Sequence, residues 1–279
     1  MNTYERVTMP EGETRYLLSN SSAELERLRL QARVWEPEAE AMLDRIPVKA
    51  GWKCADLGCG GMGILGPLSK RVGPEGRVVG IERDPVQLSA AREFVTSQNL
   101  HNVEILEQDA YRTDLPREGL DLVHVRFLFA PVGRDPELLR EMISLARPGG
   151  VVAIQEPISS TWGCYPTIAK WNHLKRAVLE EFRAGGGDFD AGERTFSRLK
   201  SAGIQELRLR AAVIPLAAGH PYRRLPVQFS ASLRTRMLEH GLLTEAELAE
   251  DLAECEKTVL DPSVFFLTFV VTQVWGTKP

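Results

Sequence analysis

Short apolar runs alternate with helix-like stretches through the middle of the chain. Apolar or β-branched residues dominate 52–57, 77–82, 103–106, 120–125 and 151–155. Between them, apolar residues recur at helical spacing. Leu88, Ala91 and Val95 follow Asp84-Pro85, and Leu139, Met142 and Ile143 follow Asp135-Pro136. Buried strands joined by helical crossovers mark a parallel sheet covered on both faces. Upstream, residues 1–47 read as a helical prelude. Ser21-Ser22-Ala23-Glu24 has the form of a capping box, and Leu25, Leu28, Ala32 and Trp35 then share one helical face. Pro37 fits the first turn of a second helix that buries Ala41, Met42 and Ile46.

Downstream of the fifth run the pattern changes. An insertion at about 157–190 holds Trp162, Cys164, Tyr165 and Trp171, then a helix ending at a glycine C-cap, Gly185-Gly186-Gly187. A helix over 196–202 precedes a sixth strand at 206–214. A second insertion at about 215–262 holds two helices. The latter opens on a capping box, Thr244 to Glu247, and buries Leu248, Leu252, Cys255 and Val259. A continuous apolar run, 264–275, reads as a closing strand.

The first strand ends in Asp56 and runs into Gly58-Cys59-Gly60-Gly61-Met62-Gly63. Glycine lets backbone approach a ligand closely. Gly58, Gly60 and Gly63 also satisfy the G-x-G-x-x-G spacing of a dinucleotide loop. A carboxylate at the strand tip, however, repels a pyrophosphate. It suits a ligand carrying an ammonium group, such as S-adenosylmethionine. Glu82, Asp109 and Arg126 lie at or just beyond three other strand ends, where open α/β sheets bind ligands.

The 56–63 loop, Glu82, Asp109, the strand Asp121-Leu122-Val123-His124-Val125-Arg126 and the turn Arg147-Pro148-Gly149-Gly150 together resemble the class I S-adenosylmethionine-dependent methyltransferases. Within that superfamily the chain is similar to the small-molecule group related to ubiquinone and menaquinone biosynthesis. The resemblance is strong over about 48–156. It implies an α/β fold: a Rossmann-like, seven-stranded, mostly parallel sheet with helices on both faces. It also implies an N-terminal helical lid (1–47), a methyltransferase domain (48–279) carrying the two cap insertions, and a last strand that runs antiparallel.

By that resemblance Asp56 helps hold the cofactor's amino group, directly or through water, and the backbone of Gly58, Cys59 and Gly60 touches the cofactor. Glu82 accepts from both ribose hydroxyls, Asp109 from the adenine amino group, and the Ala110 amide reads a ring nitrogen. Arg83 either covers the adenine or is solvated. In relatives the prelude folds over the cofactor. Its matching residues here are Tyr16, Leu17, Leu18, Arg27, Leu28 and Gln31, so Gln31 would meet the methionine end and Tyr16 would close the pocket. Met62 stands where the family loop has its third glycine, which leaves Gly63 open as a packing residue. Arg126 and Phe127 are placed to touch cofactor or acceptor, and Glu156 to orient an acceptor hydroxyl or amine. His124, inside its strand, reads as a satisfied core histidine. Trp162, Tyr165, Trp171 and His173 either roof the pocket or pack the cap.

Composition narrows the alternatives. Net charge is −4, from 34 Lys+Arg and 38 Asp+Glu, which argues against a nucleic-acid partner. No apolar run reaches the length of a membrane span. The start lacks the pattern of a secretory signal, and four cysteines show neither disulfide-style nor metal spacing, so cytoplasmic residence and no metal are expected. The reading is methyl transfer from S-adenosylmethionine to a small-molecule acceptor, of a secondary-metabolite kind, by in-line displacement. Two rivals stay open: an NAD(P)-dependent oxidoreductase, and a cofactor-binding regulator or assembly protein without turnover. Self-association through the prelude helices also stays open.

Overall fold

The computed structural model describes residues 22–279. After helix α1 (Ser22–Leu43), five strands alternate with helices: β1 (Lys53–Leu57), α2 (Leu65–Val72), β2 (Arg77–Glu82), α3 (Pro85–Ser97), β3 (Val103–Glu107), β4 (Leu120–Arg126), α4 (Phe129–Val132), α5 (Asp135–Leu145) and β5 (Ala146–Ile158). Then come β6 (Gly163–Tyr165), α6 (Ala169–Ala184), α7 (Gly192–Ser201), β7 (Gln205–Ala212), β8 (Pro215–Leu216), α8 (Leu225–Glu239), α9 (Glu245–Leu260), β9 (Phe265–Leu267) and β10 (Val270–Thr277). Seven strands form one sheet in the order β3-β2-β1-β4-β5-β10-β7, and β10 runs antiparallel to both its neighbours. The strand order reverses between β1 and β4, so a crevice opens at the carboxyl ends of that pair.

Strand alternation divides the core. Cys54, Val78, Leu122, Ala153 and Trp275 face α2, α3 and the second half of α1. Ala55, Leu57, Val79, Val123, Val125 and Ile154 face α5 and α7 on the other side. A third core belongs to the insertions. There α6, α8 and α9 pack with the small sheet β6-β9-β8 around Trp162, Trp171, Phe182, Phe229 and Phe266. Local capping agrees with the sequence. The Asp84 side chain accepts from the Val86 and Gln87 amides, and the Thr244–Glu247 capping box is complete.

Three expectations are corrected. The prelude forms one helix rather than two. Pro37 lies inside α1 and removes one backbone donor, but the helix continues through it. Trp35 on one side of the proline is buried in the cap core, while Ala39, Met42 and Leu43 on the other are buried in the sheet core. Two separate burials thus hold the two halves in line. The inward face at its start is also not the apolar one. Glu24 and Arg27 are buried, whereas Leu25 and Leu28 are only partly so. Finally, the closing apolar run is split. β9 joins the cap sheet and β10 the main sheet, and Thr268 sits at the break. Its amide donates to the Ile214 carbonyl and its hydroxyl accepts from the Ile214 amide, at 3.0 and 2.9 Å. That pairing turns the chain from one sheet to the other. The capping box at 21–24 and the expected lid residues Tyr16, Leu17 and Leu18 fall wholly or partly outside the described residues.

Trp171 is fully buried, with its ring edge-on to Trp162 and Phe266. Trp171→Ala should therefore cost about 3–5 kcal/mol in urea denaturation. A loss below about 1 kcal/mol would mean that the insertions do not share a cooperative core with the sheet.

Candidate functional site at the switch point

The glycine turn after β1 is held from below. Asp56 is 2% exposed. One of its oxygens accepts from the Ile64 amide at 2.9 Å, and the other lies 2.7 Å from His124 Nδ1. Gly63 makes this possible. Its φ is +52°, and a Cβ there would stand 2.1 Å from the Asp56 carboxylate. Gly63 is thus the space into which the acid fits, which settles the packing role left open for it. The carboxylate faces inward, toward the Ile64 amide and His124.

Above the turn, Glu82 at the tip of β2 accepts from the Gly60 amide at 2.9 Å and from the Arg83 and Asp84 amides at 2.8 Å each. Burial raises its pKa above the ordinary glutamate range, with the three backbone N–H groups pulling the other way. Asp109, after β3, accepts from the Tyr111 amide at 3.0 Å and stands 3.9 Å from the Arg83 guanidinium. Arg83 is exposed at the rim, and Ala110 is buried beside it. Successive strand tips therefore bring Glu82 and Asp109 to the same end of the sheet as the glycine turn.

Arg126 ends β4, next to the reversal in strand order. Its Nη2 donates to the Gly63 carbonyl at 3.0 Å, while Nη1 is buried without a hydrogen-bond partner among the described residues. Burial lowers its pKa, and the nearby Asp56 opposes that shift. Phe127 follows with φ +57°, an unusual conformation for a bulky residue and one found at sites where geometry is imposed. Its ring lies edge-on to Trp35 and Phe269 at 5.9 and 6.1 Å. Gln87, on α3, contributes a second buried, unpartnered atom. Its Oε1 would lie 3.4 Å from a Cβ on Gly61 and 3.7 Å from one on Gly60.

The first half of α1 closes the other side. Arg27 donates to both oxygens of Glu24 and, at 2.9 Å, to Gln31 Oε1. Its guanidinium covers the Phe229 ring at 4.8 Å. The same Gln31 oxygen accepts from the Tyr222 hydroxyl at 3.3 Å, and that hydroxyl accepts from Trp35 Nε1 at 3.2 Å. Tyr222 is fully buried, and burial pushes its pKa up to about 12, so it remains a donor. Gln31 is therefore tied into a polar cluster between α1 and the second insertion. Sequence reasoning missed Tyr222. The i, i+3, i+7 spacing of Glu24, Arg27 and Gln31 was the available sign of a polar inward face.

Other candidates lie elsewhere. Glu156 is fully buried and accepts from the amides of Leu128, Phe129 and Ala130 at 2.8, 2.9 and 3.1 Å. Burial raises its pKa to about 8. It shapes the loop after β4 and cannot reach an acceptor hydroxyl, because both oxygens are enclosed by that loop. Trp162 and Trp171 pack the cap, and Tyr165 stacks on Phe265 at its surface. His173 lies 2.7 Å from the buried Asp251. His124 is a satisfied core histidine, with Asp56 on one ring nitrogen and Gln155 on the other.

Comparison with known proteins gives a consistent picture. The family model described as "Methyltransferase domain" matches residues 49–191. Demethylmenaquinone methyltransferase of Listeria monocytogenes is 33% identical over 144 residues, 52% of this chain and 58% of that protein. The enzyme of the same name from Geobacillus stearothermophilus is 29% identical over 43% of this chain and 51% of its own. The chain thus spans little more than half the length of the curated relatives it matches. Among solved structures, a SAM dependent methyltransferase from Aquifex aeolicus superposes with a TM-score of 0.51 at 18% identity, over 91% of this chain and 99% of that one. Phosphoethanolamine N-methyltransferase 2 of Haemonchus contortus, in complex with S-adenosylhomocysteine, gives 0.53 at 15% identity, over 86% and 52%. At such identities these likenesses concern the fold.

Removing the Glu156 carboxylate by Glu156→Ala leaves three buried amides without an acceptor, an expected loss of about 3 kcal/mol or more in urea denaturation. A variant as stable as the wild type would show that water or another group takes its place.

Proposed function

The chain belongs to the methyltransferase-domain family, and on that premise we propose that it transfers a methyl group from S-adenosylmethionine to a small-molecule acceptor. One observation carries the reading. A glycine turn held open by a buried acid lies where the strand order reverses, with Glu82, Asp109 and Arg126 at the neighbouring strand tips. The cofactor, when bound, supplies a methyl group activated by a positively charged sulfur. The residues present fit such a ligand. Glu82 exchanges its hold on the Gly60 amide for two ribose hydroxyls, a bidentate acceptance suited to a carboxylate. Asp109 and the Ala110 amide address the base. The unpartnered Nη1 of Arg126 meets the carboxylate of the amino-acid end, and this pairing stabilises a guanidinium that burial otherwise disfavours.

Methyl transfer is an in-line displacement, so the protein's work is alignment and exclusion of water. The rings of Trp35, Phe127 and Phe269 and the cluster of Arg27, Gln31 and Tyr222 lie between lid and cap, against the tip of β4. We assign the acceptor to that side. Its ring-rich wall favours an acceptor that is itself flat and apolar, in keeping with the demethylmenaquinone enzymes among the relatives. The four cysteines are buried and free, which fits a reducing compartment. Among the described residues no helix is long and apolar enough to cross a membrane. The methyltransferase-domain match over residues 49–191 counts against the oxidoreductase alternative.

Calorimetric titration should show S-adenosylhomocysteine binding and no NAD binding; the reverse result removes the proposal. Glu82→Ala should weaken S-adenosylhomocysteine binding by about 1.5–3 kcal/mol. Acidification should do the same. Only the ionised carboxylate accepts both hydroxyls, so affinity falls as pH drops through the raised Glu82 pKa, starting above the ordinary glutamate range. The stability contribution has the opposite sign. The folded state holds this proton more tightly than the unfolded chain, so that contribution is present at low pH and lost on raising it. In Glu82→Gln the affinity should become independent of pH over this window. A wild-type profile that is already flat would exclude Glu82 from the site.

A further inference from the structure

The central strands are buried on both faces, yet five neighbouring strands carry a polar residue on the α1 side. These residues form one continuous chain. Arg210 Nη1 donates to Gln273 Oε1 at 2.7 Å, and Gln273 Nε2 donates to Gln155 Oε1 at 2.7 Å. Gln155 Nε2 lies 2.8 Å from His124 Nε2, and His124 Nδ1 lies 2.7 Å from Asp56. Asp56 in turn holds the Ile64 amide. Asp56, His124, Gln155 and Gln273 are each at most 2% exposed. Arg210 also pairs with Glu38 of α1, whose backbone carbonyl accepts from Gln273 Nε2 at 2.9 Å.

The donor and acceptor sense of this chain is fixed at both ends. A guanidinium only donates and an ionised carboxylate only accepts. Arg210, with the Glu38 carbonyl that accepts from Gln273 Nε2, therefore turns the Gln273 oxygen toward the guanidinium and the Gln273 nitrogen toward Gln155. That turns the Gln155 oxygen toward Gln273 and its nitrogen toward His124. His124 Nε2 must then accept, which leaves the ring proton on Nδ1, facing Asp56. We infer that His124, Gln155, Gln273 and Arg210 are positioning residues for the cofactor turn: their one-way hydrogen-bond chain sets the His124 tautomer that holds Asp56, and through it the glycine loop. Reversing the two amides would put the proton on Nε2 and a lone pair against the Asp56 carboxylate, releasing the anchor of the loop. Through Glu38 the same chain ties the lid helix to that loop.

The structural half of this proposal stands without the methyltransferase reading, whereas its effect on cofactor rests on it. Long-range ¹H–¹⁵N spectra of the full chain with labelled histidine, assigned with His124→Asn, should show His124 in the Nδ1–H form. Arg210→Gln, which can offer an oxygen at the same position, should add an Nε2–H population. It should also weaken S-adenosylhomocysteine binding about threefold or more, although Arg210 lies on the edge strand and does not touch the turn. Arg210→Lys, which again only donates, should restore both readouts. A purely structural residue would alter melting temperature in both variants and leave the tautomer alone. The proposal is overturned if wild-type His124 carries its proton on Nε2. It is equally overturned if folded Arg210→Gln matches the wild type in spectrum and affinity. A wild type that binds no S-adenosylhomocysteine overturns the methyltransferase reading instead, and the spectra still decide the tautomer.

Discussion

The contact between the Asp56 carboxylate and the hollow left by Gly63 is the constraint on which the rest of the site depends. One oxygen pins the start of α2 through the Ile64 amide, and the other is engaged by His124. A turn tethered in this way keeps its bare backbone at the sheet's open end. Any side chain at position 63 would collide with the acid, and at φ +52° would be strained as well. The electrostatic meaning of this acid therefore differs from its meaning in the sequence. It shapes the loop through the Ile64 amide, and its other oxygen is met by a histidine inside the protein.

Several buried carboxylates elsewhere are held by more than one partner. Glu156 collects three amides at the start of α4. Glu181 is fully buried between Arg236 and His240, and Asp251 sits between His173 and Lys170. A buried carboxylate without partners costs several kcal/mol, so each of these fixes the geometry of its neighbours. Among the described residues Nη1 of Arg126 is, like Nε and Nη1 of Arg223, buried without a hydrogen-bond partner. It lies at the strand tip beside the glycine turn, where a ligand would complete it.

Helix α1 joins the parts. Its first half contributes Arg27, Gln31 and Trp35 to the cap, and its second half seals the sheet with Ala39, Met42 and Leu43. Between the two, Glu38 reaches Arg210 and Gln273. The insertions and the sheet are thus bound through one continuous helix, which holds together across Pro37.

The parallel sheet, its crossover helices, the glycine turn and the acids at the tips of β2 and after β3 were all legible in the chain itself. They depend on short-range patterns: apolar runs, capping residues and glycines directly after a strand. Which way a side chain points was not legible. Asp56 and Glu156 both look like strand-end acids, yet both face inward, because the amides that claim them come from residues brought near only by the turn of the chain. The polar residues at 124, 155, 210 and 273 read as scattered interruptions along four strands. Only the pairing of β4, β5, β10 and β7 lines them up, since hydrogen-bond partners separated by 31 to 118 positions cannot be recognised before the strands are set side by side.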